Sequence, residues 1–244
     1  MLLCWILSCV ADTVSQAPEI DRLRVLAVAA EPAEPRPGDL VTFSALIVSP
    51  DPVGGSAWFN CSAAASDDYG CTIDETLLED AQSGEASVED LQAAGFLGFL
   101  PALPPFWMVP PTYLDELSEE VKLEGTFAMI FVSALPAVEE GESIDQAAVE
   151  LAYKRVPVSL APTPNHNPTM DGMSVDGQPL ASGTRLRVDP GQTYTLGALL
   201  SEGALETYAY RTTDGVDEER TEEPYFTWYL QEGSFDQATT TWPY

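Results

Sequence analysis

The chain has 244 residues, 39 of them Asp or Glu and ten Lys or Arg, for a formal net charge of −29. At 45% hydrophobic and 20% charged residues it has the composition of a folded protein, with length for one large or two small domains. A charge of that sign repels phosphate, which excludes nucleic-acid binding and leaves hydrocarbon as the only route to a membrane surface.

The first nine residues, from Met1 to Cys9, form an apolar run too short to span a bilayer, which takes about 20 residues. The stretch that follows, to Pro18, is small and polar, as a tether is. Ile6-Leu7-Ser8-Cys9 resembles the bacterial lipobox, in which a small residue precedes a Cys that is lipidated and becomes the new first residue. The resemblance implies export and a lipid on Cys9, with residues 1–18 serving as signal and tether.

Two cysteines other than Cys4 and Cys9 occur, Cys61 and Cys71, with nine residues between them. A zinc site needs two further ligands, and the single histidine, His166, is distant in sequence. A disulfide is expected in preference to two free buried thiols. Closing this loop stabilises by roughly 2 to 3 kcal/mol in the chain-entropy view and requires an oxidising compartment.

Residues 23–29 and 40–48 read as strands on either side of a kink set by Pro32, Pro35 and Pro37. Gly54-Gly55 reads as a turn into Ala57-Trp58-Phe59, whose Trp resembles the core tryptophan on the third strand of immunoglobulin-like domains. Ser87, with Asp90 three residues on, predicts a short helix over 88–94 that Gly95 ends. The segment 96–113 mixes Phe106, Trp107 and six other large apolar residues with five prolines, which exclude a helix or a central strand. It is expected to be a flap that buries its aromatics, with Phe106 and Trp107 as candidate partner-binding residues if exposed. A helical turn over 117–123 and strands over 126–134 and 149–160 complete the first sandwich, residues 19–161.

The Pro- and Asn-rich stretch 162–168 reads as a linker. Beyond it, strands are expected over 170–175, 184–188, 193–200 and 207–211, an acidic loop over 214–223, and a last strand over 225–230 with Trp228 in the role of Trp58. Pro37-Gly38 and Pro190-Gly191 stand at matching places before the second main strand of each half. The fold class is therefore all-β: two tandem immunoglobulin-like β-sandwiches, the first carrying a short helical and Pro-rich insertion. The second, residues 169–244, is expected to be incomplete or a smaller sheet completed by something else.

The combination of Arg24-Val25-Leu26-Ala27, Glu31-Pro32, Pro37-Gly38, Trp58 with Cys61, Ala152-Tyr153-Lys154-Arg155 and Asn165-His166-Asn167-Pro168 resembles a group of surface lipoproteins from myxobacterium-like bacteria. The resemblance covers most of the chain. It implies an immunoglobulin-like architecture and an envelope location, lipid-anchored to the outer membrane, and brings no catalytic residue with it.

Chemistry has little sequence support. His166 lies between two asparagines in the linker, carboxylate pairs such as Glu222-Glu223 are explained by a solvated acidic surface, and Asp214, Asp217, Glu218 and Glu219 lack EF-hand spacing. The expectation is a non-enzymatic structural or protein-interaction module, without cofactor or metal, whose partners are the membrane through its lipid and an envelope protein or glycan. The alternative is a carbohydrate-binding or hydrolytic surface protein using aromatics such as Trp107 and Trp242. Non-reducing peptide mapping of exported protein is expected to recover Cys61 and Cys71 in one linked peptide pair, and free thiols at both positions would refute the bridge.

Overall fold

A computed structural model describes residues 19–61, 87–139, 145–181, 183–211 and 216–241. The fold is mostly β, arranged in several small antiparallel sheets. In the first part of the chain, β1 (Arg24–Glu31), β2 (Leu40–Val48) and β5 (Phe106–Met108) form one sheet in the order β1-β2-β5. The second sheet has the order β4-β3-β6-β7, from β3 (Val53–Cys61), β4 (Phe96–Leu100), β6 (Thr126–Pro136) and β7 (Glu150–Val158). Every pairing within the two is antiparallel.

Period-two alternation decides which residues meet between the sheets. In β2, Val41 and Phe43 are buried while Leu40, Thr42 and Ser44 are exposed. In β6, Ala128, Ile130, Val132 and Ala134 all point inward. Val41, Phe43, Ala128, Ile130 and Val132 join Ala30, Trp58, Leu97, Trp107, Val109, Val156 and Val158 in one apolar cluster fed from both sheets, a sandwich-like arrangement. Trp58 sits at its middle, fully buried, stacked on Phe43 of the opposite sheet with ring centres 5.9 Å apart. Its indole N–H donates to the buried Ser56 hydroxyl at 3.0 Å, so the ring's one polar atom is satisfied inside the core.

The helices follow their sequence signals. Ser87 accepts from the Asp90 amide to cap α1 (Val88–Ala93), and Gly95, at φ +92°, turns the chain out of it into β4. Ser118 caps α2 (Glu119–Glu124) in the same way.

Two expectations need correction here. Gly54-Gly55 is no turn: both glycines lie inside β3, where the register shifts, as strand glycines do at bulges. Residues 96–113 are no simple flap, because two short strands, β4 and β5, form within them. Each lies at the edge of its sheet, the position the flanking prolines permit. Gly98 lets the returning loop cross β4 at contact distance, since a Cβ there would stand 2.7 Å from both the Leu103 carbonyl oxygen and the Pro105 Cα. The stretch 162–168 is hydrogen-bonded to the β1–β2 corner. Asn165 N–H donates to Glu34 and the Asn167 side chain to the Ala30 carbonyl and Glu31, while Arg36 reaches the Ala161 carbonyl and the buried Ser159 hydroxyl donates to Glu34.

The remaining strands form three small sheets. In the first, β8 (Met170–Val175) pairs with β9 (Gln178–Leu180) and with β10 (Leu196–Leu200). The Asp176-Gly177 turn has φ +48° and +75°, the two left-handed residues that a tight two-residue hairpin requires. Two ribbons follow, β11 (Thr207–Arg211) with β12 (Asp217–Thr221), and β13 (Tyr225–Thr227) with β14 (Thr239–Thr241). Residues 184–188 are not a strand, since Leu186 and Val188 have no pairing partner and stay exposed. The expected acidic loop over 214–223 instead contains β12, whose backbone pairing with β11 overrides its charged composition. Trp228 does not repeat Trp58: it is half-buried on a ribbon, donating to the Thr240 hydroxyl at 3.0 Å. Ser174, Gly197 and Ala198 are the buried residues of this half among those described.

Replacing Trp58 with Ala empties the middle of the two-sheet core and is expected to cost about 3 to 5 kcal/mol, read from the denaturation midpoint. Trp228→Ala, at a half-buried ribbon position, is expected to cost a fraction of that in the same assay.

Candidate functional site

The structure separates the residues singled out in sequence. Cys9, Cys71, Asp214 and Trp242 lie outside the described residues, while Cys61 closes β3 with its backbone opposite Met129. His166 is exposed, its Nδ1 2.7 Å from Glu206 Oε1, so it ties the 162–168 stretch to the start of β11. Glu218 and Glu219 are strand neighbours and point to opposite faces, with Glu218 paired to Arg220 at 3.1 Å. Among the described residues, no group of three or more His, Cys, Asp or Glu is placed to hold a metal ion, and no helix is long and apolar enough to cross a membrane.

Phe106 and Trp107 part ways because they are consecutive on β5. Trp107 lies opposite Val41 and is 7% exposed, whereas Phe106 lies opposite Thr42 on the outer side and is 41% exposed. Trp107 packs edge-on against Tyr113 at 5.5 Å, and the Tyr113 hydroxyl donates to the Phe127 carbonyl. Burial pushes the Tyr113 hydroxyl above its ordinary value of 10.0. A folded-state pKa raised in this way adds stability below pH 10, which is lost as the pH rises through the raised value. Of the two candidate partner-binding side chains, Phe106 alone is presented to solvent, beside exposed Leu40 and Met108.

The sheet β4-β3-β6-β7 carries a larger surface that the sequence reading missed. Its outward positions are occupied by Phe96 and Phe99 on β4, Ala57 and Phe59 on β3, Phe127, Met129, Phe131, Ser133 and Leu135 on β6, and Leu151, Tyr153, Arg155 and Pro157 on β7. Strand register aligns Phe96, Phe59, Phe131 and Tyr153 in one row across all four strands. Phe59 meets Phe96 at 5.6 Å and Phe131 meets Tyr153 at 6.2 Å, with ring planes inclined by 62° and 41°. The Arg155 guanidinium lies 4.1 Å over the Phe127 ring, a cation–π contact. Exposure is greatest toward β7, where Leu151 is 69% and Tyr153 63% exposed. These outward positions hold no carboxylate, on a chain with 39 of them.

The signal was present in β6, where Phe127, Met129, Phe131 and Leu135 alternate with Ala128, Ile130, Val132 and Ala134. A strand apolar at both parities is unusual in an antiparallel sheet, whose second face normally meets water. Truncating the two β5 aromatics separately tests the division between them. Trp107→Ala is expected to lower stability by about 3 to 5 kcal/mol and Phe106→Ala by less than about 1, both by equilibrium denaturation.

Comparison with protein-family models, with curated proteins and with solved structures finds no match to this chain.

Proposed function

We propose that this chain is a non-enzymatic, lipid-anchored envelope protein that acts as a protein-interaction module through the outer face of its four-stranded sheet. The observation that carries the interaction reading is the apolar row Phe96–Phe59–Phe131–Tyr153, open toward Leu151 and Tyr153. Apolar patches of this kind on soluble surfaces mark binding sites. The lipobox-like Ile6-Leu7-Ser8-Cys9 carries the location.

The first part is an immunoglobulin-like sandwich in this reading. The orders β1-β2-β5 and β4-β3-β6-β7 support it, matching strands A, B and E against C, F and G, with β4 as an added strand beside C. Trp58 on the third strand, and Tyr113 at the corner leading to the sixth, support the same assignment. Residues 169–244 form a second, smaller unit of the same kind. Gly38 and Gly191, each following a proline ahead of a main strand, share left-handed backbone at φ +93° and +78°.

The glycan-binding alternative named Trp107, which is only 7% exposed and offers no open ring face for a sugar to lie on. Mass spectrometry of the protein from its native envelope is expected to find an acylated amino terminus at Cys9, with the chain in the membrane fraction. An unmodified terminus elsewhere, or a glycan-array signal that Tyr153→Ala abolishes, would overturn this reading.

A further inference from the structure

We infer that the outer face of β4-β3-β6-β7 is where two copies of this chain meet. The inference rests on the interaction-module reading and names its partner. Four features of the face select a second copy.

The first is charge. A net −29 makes any two copies repel over most of their surface, yet the outward positions of this sheet hold no carboxylate and one cation, Arg155. Two copies approaching through these faces bring their acidic surfaces no closer than they must.

The second is self-complementarity. The face suits a partner that is flat, apolar and without carboxylates of its own, and a copy of the same face meets all three conditions. A two-fold axis lying in the interface and running across the strands lays β7 over β7 with its ends exchanged. Arg155 of each copy then stands over the end of β7 that carries Leu151 and Glu150 in the other, while Tyr153 faces Tyr153. One closed contact forms, with no free surface left to propagate a filament.

The third is size. Strands about 4.8 Å apart, and the eight steps from Phe127 to Leu135 at about 3.4 Å each, give a patch of roughly 19 by 27 Å, about 500 Å² in projection. With its side chains standing off the sheet, that patch comes within reach of the roughly 800 Å² per partner typical of specific complexes.

The fourth is ring geometry. The inclined Phe and Tyr rings leave ridges and hollows that suit interdigitation with a second sheet about 10 Å away.

The test uses the full chain carrying Cys9→Ser, so that acyl chains do not drive micelle formation. Sedimentation velocity from about 1 to 100 µM is expected to show a monomer–dimer equilibrium. Leu151→Asp with Tyr153→Asp, at two exposed positions, should weaken it at least about 30-fold without moving the denaturation midpoint, while Leu46→Ser, at an exposed position of β2 on the other sheet, leaves it unchanged. A monomer throughout the range, or a dimer indifferent to the double substitution, overturns the inference.

A photo-crosslinking residue at position 153 in the otherwise unaltered, lipidated protein gives a readout that does not depend on the double variant folding. Crosslinking to position 153 or its β7 neighbours in a second copy supports the inference. Capture of another envelope protein, or of residues 62–86 of the same chain, overturns it. Another envelope protein leaves the interaction-module reading standing, whereas capture of a glycan removes both.

Discussion

The two-sheet core depends on one buried indole. Trp58 is the largest fully buried side chain among the described residues, it stacks on Phe43 of the facing sheet, and its N–H is satisfied two residues away by Ser56. That pairing lets the ring enter a dry interior without leaving a donor orphaned, a fault that costs about 1 to 3 kcal/mol. Around it the inward residues are small or branched, among them Ala128, Ile130, Val132, Val156 and Val158. Such residues close the space beside a large flat ring on both sides. The contact between Trp58 and Phe43 joins the two sheets by packing, so no covalent link between them is needed at this point.

A core organised in this way fixes what the rest of the chain presents. Once the even-numbered positions of β6 are committed inward, Phe127, Met129, Phe131 and Leu135 must point out, and register aligns Phe131 with residues from the other three strands. The connection through α2 serves the same core, with Leu114 and Val109 buried and Tyr113 braced on Trp107. The later sheets have no comparable interior. Beyond residue 169, burial among the described residues is confined to Ser174, Gly197 and Ala198, and order rests on hairpin pairing and on hydrogen bonds such as Ser201 to Asp171 and Thr195 to Asp176. Small sheets without a shared core open at lower free energy than a two-sheet sandwich does.

Sequence reading succeeded where one local signal settled the matter. Ser87, Asp90 and Gly95 bracketed α1, and residues 126–134 read directly as the strand that forms most of β6. It failed where pairing with a distant strand decided the outcome. Prolines at 101, 104, 105, 110 and 111 obscured β4 and β5, because the sequence alone does not reveal that each lies at an edge with room for them. Glu218, Glu219 and Arg220 read as loop until β11 supplied a partner, and Leu186 and Val188 read as strand although none came. The aromatic row was hidden for a related reason. Its four members lie in four separate segments, and only the register brings them side by side.

Hydrogen exchange under native conditions tests the central claim most directly, that a Trp58-centred two-sheet core is the stable scaffold and the later sheets are not part of it. Amides of β3 and β6, including those of Trp58, Ile130 and Val132, should exchange only through global unfolding of the two-sheet core. Those of β8 to β14 should exchange earlier, through local opening. Equal protection in β6 and β10, or β3 exchanging before β10, would contradict the account.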